Sequence, residues 1–321
     1  MSTSLELVSV LKRYTPHANP AVDRVSLRVE AGELLALVGQ SGSGKTTLLR
    51  LVSGLERPDE GEIRVGDEPV AGAETWVPPE KRNIGMVFQD GALFPHLTVE
   101  KNIRYGLRHL SKAACAGKID SLLCLVGLDG FQKRYPHELS GGERQRLAVI
   151  RALAPEPKVV LLDEPFSNLD PALRRNLRGD IHRIIKELNT TAIMVTHDTD
   201  DALTVGDRVA VFKDGHIEQI GTSTEVYRNP VNGYCARLFG PANLLGNQWI
   251  RPEQMELLPA YAPETHPVVV REIRDAGRHR EILVSPQEVD PEESWIIHNA
   301  ELHGLKVGGT GWVRLKEDRK A

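Results

Sequence analysis

The chain has 321 residues, with 40 Lys and Arg against 44 Asp and Glu, giving a formal net charge of −4. That balance argues against a protein that coats nucleic acid or an anionic membrane, roles that show as a basic excess or a basic block. Hydrophobic residues at 40% and charged residues at 26% argue against a disordered or fibrous chain, and the length fits two domains of roughly 100 to 200 residues each.

The N-terminal residues Met1 to Leu11 lack a basic stretch leading into an apolar one, so a cleaved secretory signal is not expected. Next comes Leu34 to Val38, a short apolar run that meets a glycine-rich turn and then Thr47 to Gly54, the order of a buried strand, a loop and a helix. Between Thr98 and Tyr135 the pattern turns helix-rich, in Glu100 to Leu110 and Ala113 to Val126. This segment reads as a helical insertion or as one more pair of crossover helices. Val159 to Leu162 is a second apolar strand. Leu173, Leu177, Ile181, Ile184, Ile185 and Leu188 then recur at helical intervals. The β-branched Thr191 to Thr196, the segment Ala202 to Val205 and the strand-like Arg208 to Phe212 follow. Strands that alternate with helices imply a largely parallel sheet.

After Gly240-Pro241 the character changes. Short β-like runs at Val268 to Glu272, Glu281 to Val284, Trp295 to Ile297 and Trp312 to Leu315 are separated by turn residues, the spacing of a small barrel or sandwich. The three cysteines, Cys115, Cys124 and Cys235, form no C-x-x-C pair, so neither a disulfide framework nor a sequence-local zinc site is expected, and a reducing compartment fits best. Nothing approaches the roughly 18 consecutive apolar residues of a membrane-crossing helix.

The strongest local pattern is Gly39-Gln40-Ser41-Gly42-Ser43-Gly44-Lys45-Thr46, followed by Thr47. It matches G-x-x-x-x-G-K-[ST] between a strand and a helix. Glycines let backbone N–H groups converge on phosphate oxygens, and the helix N-terminus adds its positive end. Lys45 supplies charge to the β and γ phosphates, and the Thr46 hydroxyl can ligate Mg2+. A second element, Val159 to Glu164, is an apolar strand that ends in two carboxylates. Asp163 is placed to serve a Mg2+ shell, and Glu164 to polarise an attacking water as general base. Taken alone, both residues are better read as marking a strand that runs into the turn at Pro165.

Leu139-Ser140-Gly141-Gly142-Glu143-Arg144-Gln145 lies just ahead of that strand. Ser140 can cap a helix whose free N–H groups face an anion. One nucleotide needs only one cradle, so two phosphate-seeking helix ends suggest a head-to-tail pair of chains. Each nucleotide would then lie between one chain's Gly39 to Thr46 loop and its partner's Ser140 to Gly142 turn, an arrangement that closes as a two-fold dimer.

In order and wording, residues 4 to 240 resemble the ATP-binding cassette ATPases. The resemblance implies an α/β P-loop NTPase: a mostly parallel sheet core with an antiparallel β part and a helical subdomain at about 98–150, followed by a small OB-like β-barrel. The expected domains are 1–240 for nucleotide binding and 241–321, with Ile250-Arg251-Pro252-Glu253, for a TOBE-type module. It also implies that Tyr14 stacks on adenine, that Gln89 reaches Mg2+ and the water, that Asp170 in Ser167-Asn168-Leu169-Asp170 lies at the dimer contact, and that His197 contacts the γ phosphate. Leu139 to Glu143 would act in trans on the partner's ATP.

Gly91 to Val99 resembles the importer ATPases for spermidine, ferric iron, sulfate, molybdate and sugars. Asn102 to Leu107 and the short tail look most similar to the ferric iron importers. Expected partners are a second copy, two transmembrane permease subunits and a separate solute-binding protein, with no nucleic acid. The expected place is the cytoplasmic face of the inner membrane, held peripherally. Thr199-Asp200-Asp201 and Ile150 depart from the commonest wording, away from the nucleotide chemistry. Two competing readings are a soluble cassette ATPase acting on nucleic acid, for which the usual coiled-coil insertion or second cassette is missing, and a C-terminal module that is a ligand sensor or a nucleic-acid binder with Arg271, Arg274, Arg278 and Arg280 on a basic face, although solvated strand edges account better for those arginines.

Overall fold

A computed structural model describes residues 3–316 apart from 16, 18, 108–109, 168, 278, 288–293 and 300–303. The chain divides into two compact units, Met1–Ser223 and Thr224–Ala321.

The first unit opens with β1 (Leu5–Lys12) and β2 (Val22–Val29), then β3 (Leu34–Val38), α1 (Lys45–Ser53), β4 (Glu60–Val65), β5 (Glu68–Ala71) and β6 (Ile84–Val87). Helices α2 (Val99–Arg104), α3 (Lys112–Leu125) and α4 (Gly141–Leu153) follow. The unit continues through β7 (Val159–Asp163), α5 (Pro171–Glu187), β8 (Thr191–Thr196), α6 (Thr199–Val205), β9 (Arg208–Lys213) and β10 (His216–Gly221).

Two sheets result, one in the order β2-β1-β4-β5 and one in the order β10-β9-β3-β8-β7-β6. From β9 to β6 the neighbours of the second sheet are parallel, while β10 runs antiparallel to β9. Every residue of β3 and β8 is buried. Such strands are covered on both faces, which is why they read as unbroken apolar runs. One face of the parallel sheet (Leu35, Leu37, Leu161, Ile193, Val195) shares a core with Leu48, Leu49, Leu51 and Val52 of α1 and with the antiparallel sheet.

The 98–135 segment is helical at α2 and α3, with a short 3-10 turn at Tyr105–Leu107. Buried Asn102 sets its start. Its side chain accepts from Phe94 N–H (2.9 Å) and donates to the carbonyls of Phe94, Leu97 and Thr98. One buried amide thus satisfies the backbone of a whole loop.

The second unit holds most of α7 (Ser223–Arg228), then α8 (Gly233–Leu238), a β11–β12 hairpin (Asn243–Leu245, Gln248–Ile250), β13 (Met255–Leu258), β14 (His266–Asp275), β15 (Arg280–Pro286), β16 (Trp295–Asn299) and β17 (Thr310–Leu315). Among the described residues the larger sheet runs β13-β17-β14-β15-β16, all antiparallel. It curls until its edges, β13 and β16, meet. Buried Asn243 spans them, donating to Met255 Sδ and the Ile296 carbonyl (2.7 Å) and accepting from Ile296 N–H (2.8 Å). The enclosed core is Met255, Leu257, Val268, Val270, Ile282, Val284, Trp295, Ile297 and Val313. This is a small β-barrel domain.

Arg251, 1% exposed, donates to the carbonyls of Tyr227 and Ala236 (2.8 Å each) and lies over the Tyr227 ring. It serves the unpaired carbonyls at the ends of α7 and α8, so its charge is offset by aligned peptide dipoles. These contacts hold the helices just before Gly240-Pro241 to the start of the β part of the same unit. Of the four arginines proposed for a basic face, Arg271 donates to Ser285 Oγ (3.0 Å) and Arg274 pairs with Glu272. Arg278 lies outside the described residues.

Candidate functional site

Strands β3, β8, β7 and β6 are parallel, so the segments that follow them, Gly39 to Thr46, His197, Glu164 and Gln89, leave the same edge of the sheet. In open α/β sheets this carboxyl edge is where ligands bind.

The Gly39 to Thr46 loop needs glycine at two positions. A Cβ on Gly39 would stand 2.1 Å from the Phe212 carbonyl oxygen, and one on Gly44 (φ 106°) would stand 1.9 Å from that of Ala21. Gly44 is also the N-cap of α1 and supplies no side-chain cap, which leaves the first N–H groups of the helix for an anion. Lys45 is 5% exposed. Its Nζ lies across the loop, donating to the carbonyls of Gly39 and Gln40 (2.8 Å each) and to Ser43 Oγ (3.3 Å). Burial lowers its pKa, and the charges of Glu164 and Asp163 oppose that shift. Ser43 is buried, whereas Gln40, Ser41, Gly42 (φ 82°) and Thr46 are exposed.

The two carboxylates differ in setting. Asp163 ends β7, accepts from Thr46 Oγ1 at 3.5 Å, and has its pKa raised by burial and then by neighbouring Glu164. Glu164 adopts φ 46°, held there by its N–H bond to the Val195 carbonyl of β8 (2.9 Å). A non-glycine residue in this region is strained, and such strain gathers at functional positions. It directs the Glu164 carboxylate to His197, whose Nδ1 is 3.0 Å from Oε1. Gln89 stands exposed two residues past β6, with no hydrogen bond to this group among the described residues.

The Thr46 hydroxyl and the Asp163 carboxylate are oxygen donors suited to a hard cation. The 3.5 Å between Thr46 Oγ1 and Asp163 Oδ1 is near the roughly 3 Å between adjacent oxygens of an octahedral Mg2+ shell with bonds of about 2.1 Å. These residues therefore fit Mg2+. Tyr14 is 57% exposed. Its hydroxyl donates to Glu56 Oε2 (2.7 Å) and is 3.3 Å from Thr47 Oγ1, which fixes the ring at the loop's flank.

At the 139–143 turn, Leu139 is buried and Ser140 caps α4. Ser140 N–H donates to Glu143 Oε2 (2.6 Å) and Glu143 N–H to Ser140 Oγ (3.4 Å). This capping box closes the turn on itself, and the Ser140 backbone N–H lowers the Glu143 pKa. A Cβ on Gly142 would meet only Leu173 Cδ2, at 3.7 Å. Asp170 caps α5 through the N–H groups of Ala172 and Leu173. Asn168 lies outside the described residues.

Sequence reasoning missed the network beneath His197. Arg178 Nε donates to Asp201 Oδ1 (2.5 Å), Arg174 pairs with Asp198, and Thr196 Oγ1 donates to Asp201 Oδ2 (3.2 Å). Asp198 also caps α6. Asp201, read from sequence only as a departure in wording, is 2% exposed and clamps the turn that carries His197. The available signal was Arg174 and Arg178 four apart on one helix, facing Asp198 and Asp201 at the next helix start.

A glycine loop over a helix N-terminus, a buried lysine and a carboxylate pair at one parallel-sheet edge define a P-loop nucleotide hydrolase. The family profile described as ABC transporter matches residues 22–167. The sulfate/thiosulfate import ATP-binding protein of Pseudomonas syringae pv. tomato is 44% identical over 326 residues, covering 98% of each chain. That of Mycobacterium bovis is 45% identical over 259 residues, 80% of this chain and 72% of its own length.

Among solved structures, the ATP-binding cassette MJ0796, in a dimeric post-hydrolysis state bound to ADP and Pi, aligns with TM-score 0.60 and 30% identity over 68% of this chain and 98% of its own. A component of the cbiONQ ABC transporter of Clostridium perfringens, cbiO1, aligns with TM-score 0.64 and 29% identity over 70% and 91%. The chain belongs to the ABC transporter family, as an ATP-hydrolysing subunit of the importer type. No helix among the described residues is long and apolar enough to cross a membrane.

Proposed function

We propose that the chain powers the import of sulfate or thiosulfate. The observation that carries this reading is the 44% identity along 98% of a sulfate/thiosulfate import protein. Sulfate stood among the cargoes open to the sequence, but ferric iron was the leading expectation, and the relatives do not support it. Part of that expectation rested on Asn102 to Leu107. There Asn102 and Ile103 are 0% exposed and Leu107 2%, so these three residues answer to packing and to the loop that Asn102 pins.

In this reading residues 1–240 form the ATPase domain and 241–321 the TOBE-type module. The N–H groups of Gly39 to Thr46 and the ammonium of Lys45 hold the phosphates, with Lys45 exchanging its loop carbonyls for phosphate oxygen. Thr46, Asp163 and Gln89 would hold Mg2+, which would supply positive charge to offset that of the β and γ phosphates. Glu164 accepts a proton from the attacking water. His197, steadied by the Arg178–Asp201 clamp, aligns Glu164 and meets the γ phosphate. Tyr14 offers its exposed ring to adenine. Leu139 to Glu143 and Asp170 act across a homodimer, so that hydrolysis removes the anionic bridge between chains. The dimer works with two permease subunits and a solute-binding protein, attached peripherally at the cytoplasmic face of the inner membrane.

The cargo is tested by uptake of radiolabelled sulfate in cells that lack their own sulfate-importer ATPase. The chain is expected to restore uptake and Glu164→Gln is not. Restored ferric iron uptake with no sulfate uptake would refute the cargo assignment and leave the ATPase intact.

A further inference from the structure

The second unit carries a polar cluster that the nucleotide chemistry does not use. Glu281 on β15 and His298 on β16 are directly paired across the antiparallel ladder. His279 is two residues before Glu281, the spacing that returns a side chain to the same face of a strand. The two imidazoles lie with ring centroids 3.9 Å apart. His279 Nε2 and His298 Nε2 both turn to the same atom, Glu281 Oε1, at 3.7 and 3.9 Å. Both distances exceed a hydrogen bond. Both Nε2 atoms are nevertheless sealed from solvent and have no hydrogen-bond partner. A buried polar atom left so is destabilising, and two converging on one carboxylate call for an explanation.

A cation between them supplies one. One ligand atom from each of His279, Glu281 and His298 can be chosen so that all lie within 4.8 Å of one another. Tetrahedral zinc with bonds of about 2.0–2.1 Å holds its ligands roughly 3.3–3.5 Å apart. The cluster therefore needs only a small inward movement of side chains. A second carboxylate stands at the opposite edge of His298, likewise just beyond hydrogen-bond distance. His298 Nδ1 is 3.9 Å from Glu253 Oε2, and Glu253 is fixed by Tyr227, whose hydroxyl donates to its other oxygen at 2.8 Å. A carboxylate behind a ligating histidine sets its tautomer and raises its basicity.

We propose that His279, Glu281 and His298 form a divalent transition-metal site of the Zn2+ class, with Glu253 orienting His298. Two imidazoles and one carboxylate select zinc, cobalt or nickel over Mg2+, which prefers oxygen alone. Three protein ligands leave a fourth position for water or another donor. The site is separate from the Mg2+ expected with ATP and uses different chemistry.

The test uses the full-length, untagged chain, stripped with a chelator and titrated with Zn2+ against a chromophoric competitor. One Zn2+ per chain is expected, not displaced by millimolar Mg2+, and Co2+ in its place should give the visible absorption of a tetrahedral ion. His298→Ala and Glu281→Gln are each expected to weaken binding about 100-fold, Glu253→Gln about tenfold, and the exposed-site control His137→Ala not at all. Zinc affinity unchanged in a His279→Ala/His298→Ala double variant would overturn the assignment. So would a wild-type chain that binds no stoichiometric zinc and gives no tetrahedral Co2+ spectrum, a result that does not depend on any variant folding.

Discussion

The two helix ends that the sequence marks for phosphate, those of α1 and α4, are built in opposite ways. At α1 the cap is Gly44, which brings no side chain, and the lysine folds over the loop. At α4 the cap is Ser140, locked with Glu143 in a capping box. The first end keeps its backbone donors for a ligand and fills with an ammonium. The second commits the N–H groups of Ser140 and Glu143 to its own capping box, with Ser140 exposed, Gly141 half-buried and Gly142 buried at the turn. Sequence pattern alone treats them as equal; the difference lies in what each cap does with its own N–H groups.

Substitutions at matched positions test that contrast. Gly44→Ala should be the most damaging, because its Cβ meets a backbone oxygen at 1.9 Å in a left-handed conformation. A loss of about 3 kcal/mol or more in unfolding free energy is expected. Gly142→Ala adds a methyl in ordinary contact with Leu173, so denaturant melting should shift by less than about 1 kcal/mol. If its ATPase still collapses, the approach of the partner chain is responsible; if the fold collapses instead, the contrast is wrong.

Lys45→Ala should weaken nucleotide binding about 100-fold or more by fluorescent-analogue titration, since a desolvated charge on phosphate is lost. Ser140→Ala should leave that affinity unchanged in the single chain and cost about 1 kcal/mol of stability. Equal loss of binding in both variants would erase the distinction between the two ends.

The smallest effect concerns Glu143. Its folded pKa is depressed, chiefly by the Ser140 backbone N–H, so the capping box stabilises the fold above the ordinary carboxylate pKa. That contribution fades as pH falls through the depressed value. With the group largely solvent-screened, melting curves of Glu143→Gln and wild type should differ by only a few tenths of a kcal/mol at pH 7 and converge in acid. Divergence on acidification would contradict the sign.

Some of this was legible in the sequence. Leu34 to Val38 and Thr191 to Thr196 match β3 and β8 to the residue, because strands buried on both faces leave no alternation to misread. The antiparallel strands β1 and β2 were not picked out residue by residue. Their alternation is broken where Ser9 (φ 48°) and Arg24 (φ 46°) bulge out, and a bulge resets the period of two. At the site, the 39–46 loop and the Asp163-Glu164 pair follow from local pattern, since neighbours in sequence do the work. Arg178 and Asp201 pair across 23 residues and two helices, and His279 meets His298 only through strand register. The first leaves as its trace only the spacing of Arg174 and Arg178 ahead of Asp198 and Asp201, and the second leaves none.

In the proposed mechanism Glu164, 3.0 Å from His197, takes the proton of the attacking water while the loop and Lys45 bind ATP independently of it. The most direct measurement compares ATP affinity and turnover for Glu164→Gln and wild type under the same Mg2+ and salt. Binding within about twofold of wild type, turnover lower by roughly a thousandfold and a dimer retained with ATP in size-exclusion chromatography are expected. Turnover near the wild-type rate, with ATP bound equally well, would contradict that mechanism.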